Sequence, residues 1–298
     1  MKVESQQPSS WYRRAWNGRL LASAAALLAL SGCTLLSFDK RSVYKYDHPT
    51  SVEDGSFRRS LDAFGTPMVG GNRAEILNNG DEIFAGMLGA IRDAKVTVDL
   101  ESYIFKNDKA GGMFAEVLMA AARRGVDVRV LVDATGSSRT GPLLAKMRTA
   151  GVKADVFHPI RLWSLYKIGR RSHRKILVVD GKVSFTGGFC IADSWLGNAR
   201  NPKEWRDMMV RATGPVSAQM QAIFAEDWTY TTGEILAGEK FYPKIDPAGE
   251  IAAQGVKMSR GDSSSLAEML FLVAIQSARK SVHIQNAYFV PDAQIREA

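Results

Sequence analysis

The sequence predicts an α/β layered domain, a mixed, largely parallel sheet with helices packed on its faces, and three observations carry that prediction. Strand-like and helix-like segments alternate through "KVTVDLESYIF", "KAGGMFAEVLMAAARRG", "VDVRVLVD", "GPLLAKMRTAG" and "VKADVF", the order expected of a layered sheet with crossover helices. "VDVRVLVD" is an almost unbroken β-branched run, as a strand covered on both faces requires. With 46% hydrophobic and 23% charged residues over 298 positions, the chain has the balance of a globular protein of one large domain or two ordinary ones.

The first segment, residues 1–33, reads as a targeting sequence. Arg13, Arg14 and Arg19 precede "LLASAAALLALSG", a run that suits a signal-peptide core and is short for a membrane span. It ends at "LSGC", which looks like a bacterial lipobox and makes Cys33 the lipidated first residue of a mature protein. The other reading is an uncleaved anchor helix beginning near Trp11. Both tether the protein to a membrane, in the envelope of a bacterial cell. Thr34, not Asp, follows the cysteine, which by resemblance to sorted lipoproteins favours an outer membrane where there is one.

Residues 34–72, lacking clear periodicity, read as tether and lead-in. The main domain is expected over 73–235. Its first helix is "NNGDEIFAGMLGAIRDA", where Ile83, Met87, Leu88 and Ile91 recur at helical spacing after a start signal at Asn79-Gly80-Asp81. The alternating elements above come next, with Gly125 ending their first helix. A loop rich in Arg, Lys and aromatic residues, "HPIRLWSLYKIGRRS", leads into the hairpin "HRKILVVDGKVSFTGG", turning at Asp180-Gly181. "EWRDMMVRATGP" reads as a strand and "VSAQMQAIFAEDW" as an amphipathic helix, with a linker over 236–264.

Residues 265–298 are expected to begin a second copy of the domain. "AIRDAKVTVDLESYIFKND" (90–108) lies on "AIQSARKSVHIQNAYFVPD" (274–292) without a gap, an offset of 184 (274 minus 90). Ala90 and Ala274, Val98 and Val282, Phe105 and Phe289, and Asp108 and Asp292 fall in register, which points to duplication. A lone helix and strand cannot bury a core, so the sequence reads as a fragment of a longer chain.

The net charge is +8, an excess that suits phosphate-bearing partners such as anionic lipid or nucleic acid without choosing between them. Two cysteines, Cys33 and Cys190, cannot build a disulfide framework, and no Cys/His cluster has metal-ligand spacing. No metal or other cofactor is expected.

The chemistry concentrates in the hairpin. His173, Lys175 and Asp180 form an H-x-K-x4-D pattern. On a strand, positions 173 and 175 share a face, so an imidazole and an ammonium can address one ligand. A phosphodiester needs an uncharged imidazole as nucleophile and a cation for its non-bridging oxygens. Gly187-Gly188 at the end of the second strand lets backbone approach a bound anion.

The run "HRKILVVDGKVSFTGGFCIAD", with "WRDMMVRATGP" after it, resembles the phospholipase D superfamily and, within it, bacterial cardiolipin synthases. The resemblance covers residues 73–230 as one catalytic half and extends to 298. It implies a phospholipase D-like layered fold, with His173 forming a phosphohistidine and Lys175 binding the phosphoryl oxygens. Asp180 would support the motif's geometry, and Asp207 would hydrogen-bond the histidine and hold its tautomer. Gly187, Gly188, Arg170 and Arg171 would line the substrate site. One departure is Cys190, where relatives usually have Asn; cysteine is a poor donor.

The resemblance further implies a membrane-tethered phosphatidyltransferase acting on an anionic phospholipid such as phosphatidylglycerol, with no nucleic acid partner. A second histidine would come from a missing C-terminal half, near position 357, or from a second chain. Two alternatives stand beside it: the same chemistry with water as acceptor, giving a phospholipase D (less readily a nuclease), and a non-catalytic lipid-binding relative. Among the residues singled out, His173 has a packing role as its bland alternative. Lys167, Arg170 and Arg171 could equally form a solvated loop face, and Trp163 and Tyr166 a lipid-facing lip or a buried loop anchor. His48, His158 and His283 read as non-catalytic, His283 inside a strand.

Overall fold

The computed structural model describes residues 44–47, 49–63, 65–159, 171–257 and 262–298, apart from the side chains of 262–265. Eight strands form the sheet: β1 (Val69–Asn78), β2 (Thr97–Ser102), β3 (Asp127–Asp133), β4 (Lys153–Phe157), β5 (Lys175–Val179), β6 (Val183–Gly187), β7 (Met208–Thr213) and β8 (Ile251–Ala253). Their spatial order is β4-β3-β2-β5-β6-β7-β1-β8. Only β2–β3 and β3–β4 pair in parallel; β2–β5, β5–β6, β6–β7, β7–β1 and β1–β8 are antiparallel. The sheet is therefore mixed, as expected, but it is not largely parallel. The two parallel pairs are the ones joined by helical crossovers, and β5–β6 is a tight hairpin, a connection that only antiparallel neighbours allow.

The helices are α1 (Gly55–Ala63), α2 (Asn79–Asp93), α3 (Lys109–Arg123), α4 (Gly141–Thr149), α5 (Val216–Thr232), α6 (Asp262–Ser277) and the short α7 (Ala293–Glu297). The expected stop and start signals are used. Asp108 caps α3 by accepting from the Gly111 N–H at 3.0 Å, and Gly125 follows it at φ +90°. Ile83, Met87, Leu88 and Ile91 of α2 pack with Phe114 and Leu118 of α3 on Val98, Leu100, Val130, Leu177 and Phe185 of the sheet. Against the opposite face, Phe224 and Trp228 of α5 cover Leu131, Ile176 and Val178. The central strands β2, β3 and β5 are thus buried on both faces.

Covering both faces traps charge, and a staple answers it. Arg129, 1% exposed, meets Asp127 at 2.7 Å, Glu234 at 2.7 Å and Asp99 at 3.5 Å. Its guanidinium also lies 4.8 Å from the centroid of the Phe241 ring. Hydrogen bonding from Arg129 is the main reason the Glu234 carboxyl falls to about 2. Burial pushes Asp99 the other way, to about 6, against the pull of Arg129.

Three differences from expectation stand out. α1 and the first four residues of β1 lie in the stretch read as tether and lead-in, and β8 in the stretch read as linker. The segment expected as the strand of a second copy is irregular and exposed: Val282 is 47% exposed and Phe289 53%, whereas Val98 and Phe105, their counterparts in register, are fully buried. A strand exists only with a hydrogen-bonded neighbour, and His283 consequently lies on irregular backbone.

Candidate active site

Sheet topology collects the site. Because β5 runs antiparallel to β2 and β6, the start of β5 meets the ends of β2 and β6 at one rim. The start of β7 and the end of β1 arrive at the same rim. Lys175 lies opposite Ser102, and Gly187 opposite Met209. His173, Lys175, Gly187, Gly188 and Asp207 are brought together here although 34 positions (207 minus 173) separate the first from the last.

Tyr103, the residue after β2, is the floor of this rim. Its ring lies 4.6 Å from the His173 ring, edge-on, and 5.3 Å from Lys175 Nζ. Lys175 is 6% exposed and donates to the His173 carbonyl at 2.6 Å. Burial lowers its pKa, while Cys190, Asp207 and Glu101 pull it back up. His173 keeps an exposed edge, yet desolvation by its neighbours, and next the charge of Lys175, depress its imidazole below the ordinary 6.5. Asp133 offsets that only in part. The result is a neutral imidazole at neutral pH beside a cation, the combination a nucleophile for a phosphodiester requires.

The Asp207 carboxylate is occupied within its own neighbourhood. Its Oδ2 accepts from the Trp195 indole N–H at 2.8 Å and its Oδ1 from the Met208 N–H at 2.8 Å. Its charge acts on Lys175, and the carboxylate that acts on His173 is Asp133. The double glycine has a steric reason on this rim. A Cβ on Gly188 would come within 2.3 Å of Asp207 Oδ1, and one on Gly187 within 2.3 Å of the Met208 carbonyl oxygen. The glycines let Asp207 and the start of β7 close on the rim.

Asp180 lies at the other end of β5, about 16 Å away at 3.3 Å per residue. It adopts φ +51° with Gly181 at +63°, a pair of left-handed residues that suits a type I′ turn. Its carboxylate accepts from the N–H groups of Lys95, Val96 and Thr97, tying the hairpin to the α2–β2 junction. Cys190 is 2% exposed within the core, with Sγ 3.9 Å from the Gly188 carbonyl oxygen. Arg171 donates to the His158 carbonyl at 3.0 Å. Arg170, Lys167, Trp163, Tyr166 and Cys33 lie outside the described residues.

Sequence reasoning did not find Tyr103, Glu101 or Asp133. The available signal was "VDLES": charges alternating with aliphatics in a strand that the flanking helices require to be covered on both sides. Among the described residues, no group of His, Cys, Asp and Glu side chains is arranged to hold a metal ion, and no helix is long and apolar enough to cross a membrane.

Residues 87–228 match the family described as "Cardiolipin synthase, PLD-like domain". A cardiolipin synthase of Geobacillus kaustophilus is 35% identical over 236 residues, covering 78% of this chain and 47% of that protein. A probable cardiolipin synthase of Bacillus subtilis is 32% identical over 268 residues, covering 88% of this chain and 53% of that protein. The chain thus spans about half the length of these curated relatives. Among solved structures, the phosphatidylserine synthase of Haemophilus influenzae aligns at a TM-score of 0.50 with 14% identity, over 75% of this chain and 58% of that one. That likeness concerns the fold.

Proposed function

Because this chain belongs to the phospholipase D superfamily and is similar to bacterial cardiolipin synthases, we propose that it carries one half of a phosphatidyl-transferring active site. The juxtaposition of a neutral, desolvated His173 with a buried Lys175 over Tyr103 supports this reading. A His173 ring nitrogen attacks the phosphorus of an anionic phospholipid such as phosphatidylglycerol. The bond from phosphorus to the glycerol oxygen breaks, that oxygen takes up a proton, and a phosphohistidine remains. The hydroxyl of a second lipid then attacks phosphorus, loses its proton and restores the free imidazole. Lys175 neutralises the non-bridging oxygens throughout, a preorganised contribution that does not reorganise during reaction.

The proton for the leaving alcohol comes, in this proposal, from a second histidine on a further part of a longer protein or on a second chain. General acid help of that kind is worth about 10² to 10⁴ in rate. The "LSGC" segment tethers the site to the membrane that holds its substrate. The test is to incubate the full chain with phosphatidylglycerol vesicles across a range of protein concentrations and separate cardiolipin from phosphatidic acid. Cardiolipin formed with a concentration-dependent specific activity supports the transfer and the shared site. Phosphatidic acid alone identifies a hydrolase, and binding without turnover identifies a lipid-binding relative.

A further inference from the structure

The two residues that flank His173 are both held from the α5 side of the sheet. The Ser172 N–H donates to Asp133 Oδ2 at 3.2 Å, and its hydroxyl donates to Glu101 Oε1. Arg174 donates from Nη1 to Asp227 Oδ2 at 2.8 Å and to the Ile223 carbonyl at 3.2 Å. Alternation along an extended chain then turns positions 173 and 175 toward the opposite side. The anchors therefore aim the imidazole and the ammonium.

Glu101 is the least comfortable of these anchors. It is 2% exposed, its Oε2 is buried with no donor, and the group facing it from α5 is another carboxylate, Asp227. As an anion it would face like charge with an oxygen unsatisfied, a costly arrangement in a buried site. As a neutral carboxyl it has a proton to give to Asp227 and an oxygen to accept from Ser172.

We propose that Glu101 is a positioning residue for His173: held as a neutral carboxyl, it links Asp227 of α5 to Ser172 and fixes the backbone that presents the imidazole. The idea rests on the reading of His173 as nucleophile. Burial first, and then the facing Asp227, push the Glu101 carboxyl well above the usual range. The charged groups around it are Asp227, Glu226 and Arg174 on the α5 side, Asp99 on its own strand, Asp133 across Ser172, and Lys175 from the other face. A carboxyl with a raised pKa is neutral below that pKa and ionises above it. The link to Asp227 is accordingly intact below that raised pKa and breaks as pH rises through it. Glutamine reproduces the neutral form, with an amide N–H for Asp227 and a carbonyl for Ser172, and cannot ionise.

The experiment follows the His173 ring Cε1–H resonance by NMR in the full chain as pH is raised, in wild type, Glu101→Gln and Ser172→Ala. The wild type is expected to show two inflections, the imidazole's own and one where Glu101 ionises, above the usual carboxylate range. Glu101→Gln should keep the position the wild-type resonance holds below the Glu101 inflection and lose that inflection. Ser172→Ala, which cuts the link while leaving Glu101 in place, should lose it too. Turnover of Glu101→Leu on phosphatidylglycerol should fall in kcat, by about 10- to 100-fold as a small misplacement of a reacting group does, with KM little changed. A second inflection that survives in Glu101→Gln, or its absence from the wild type, overturns the proposal. If His173→Ala keeps full turnover, the nucleophile reading fails by itself, and the NMR titration still decides whether Glu101 positions the ring.

Discussion

Replacing Asp180 with alanine should damage stability and leave the chemistry of the rim alone, although Asp180 belongs to the same sequence motif as His173 and Lys175. Its carboxylate accepts from Lys95 N at 2.9 and 3.2 Å, Val96 N at 2.7 Å and Thr97 N at 2.9 Å. Lys95 and Val96 are exposed and their amides can turn to water, whereas Thr97 is buried. Losing a charged acceptor on a buried amide costs about 2 kcal/mol, and the two wetter bonds cost about 0.5 kcal/mol each. Alanine at φ +51° adds about 1 kcal/mol of left-handed strain, for a sum near 4 kcal/mol. Asparagine tolerates that backbone, and its carbonyl still accepts from Val96 and Thr97, so Asp180→Asn should cost about 1 kcal/mol. With a urea dependence of about 3 kcal/mol/M, the midpoints should fall by about 1.3 M and 0.3 M. The assay is urea unfolding followed by tryptophan fluorescence, with turnover measured where each variant is still folded. An unchanged Asp180→Ala midpoint together with lost turnover would refute a purely architectural role.

Arg129→Met should destabilise the fold by about 3–5 kcal/mol, because it strands the buried Asp99 without its cation; the urea midpoint checks this. The same variant tests a pH dependence. Glu234, at about 2 against an ordinary 4.5, contributes stability that is present above pH 4.5 and lost as pH falls through about 2, and that acid slope should flatten without Arg129. Cys190, buried and with its thiol pushed up by desolvation, should stay unmodified by iodoacetamide in the native chain and react only in guanidinium chloride, as read by peptide mass spectrometry. Turnover should fall on acidification only below pH 6.5, because desolvation and Lys175 lower the His173 pKa from that value; an acid limb centred above 6.5 would contradict this.

What could be read in the sequence tracks what is buried on both sides. β2, β3 and β5 carry uninterrupted aliphatic signals because α2 and α3 cover one face and α5 the other. β1 has Gly70 and Gly71 near its start and only Asn72 fully buried, so no apolar period marks it, and its existence depends on pairing with β7. The reverse failure is the stretch around Val282 and Ile284, which has a strand's pattern and, among the described residues, no neighbouring strand to complete it. At the site, His173, Lys175 and the glycines were legible as a local motif. Tyr103, Glu101 and Asp133 were not, since they come from β2, the residue after it and β3, and meet the segment around His173 only through the antiparallel pairing of β2 with β5. Asp180 shows the limit of motif reading most clearly: its chain neighbours are chemical, while its carboxylate serves the turn at the opposite rim.

The central claim is that His173 forms the covalent bond to phosphorus, and a substrate that needs no general acid tests it most directly. In a p-nitrophenyl phosphodiester the leaving nitrophenolate departs without a proton, so the first step does not depend on a second histidine. The full chain should release a burst of nitrophenolate of one equivalent per chain and retain an acid-labile phosphoryl adduct, which mass spectrometry at alkaline pH places on His173. A burst that persists in His173→Ala, or an adduct on any other residue, would contradict the account.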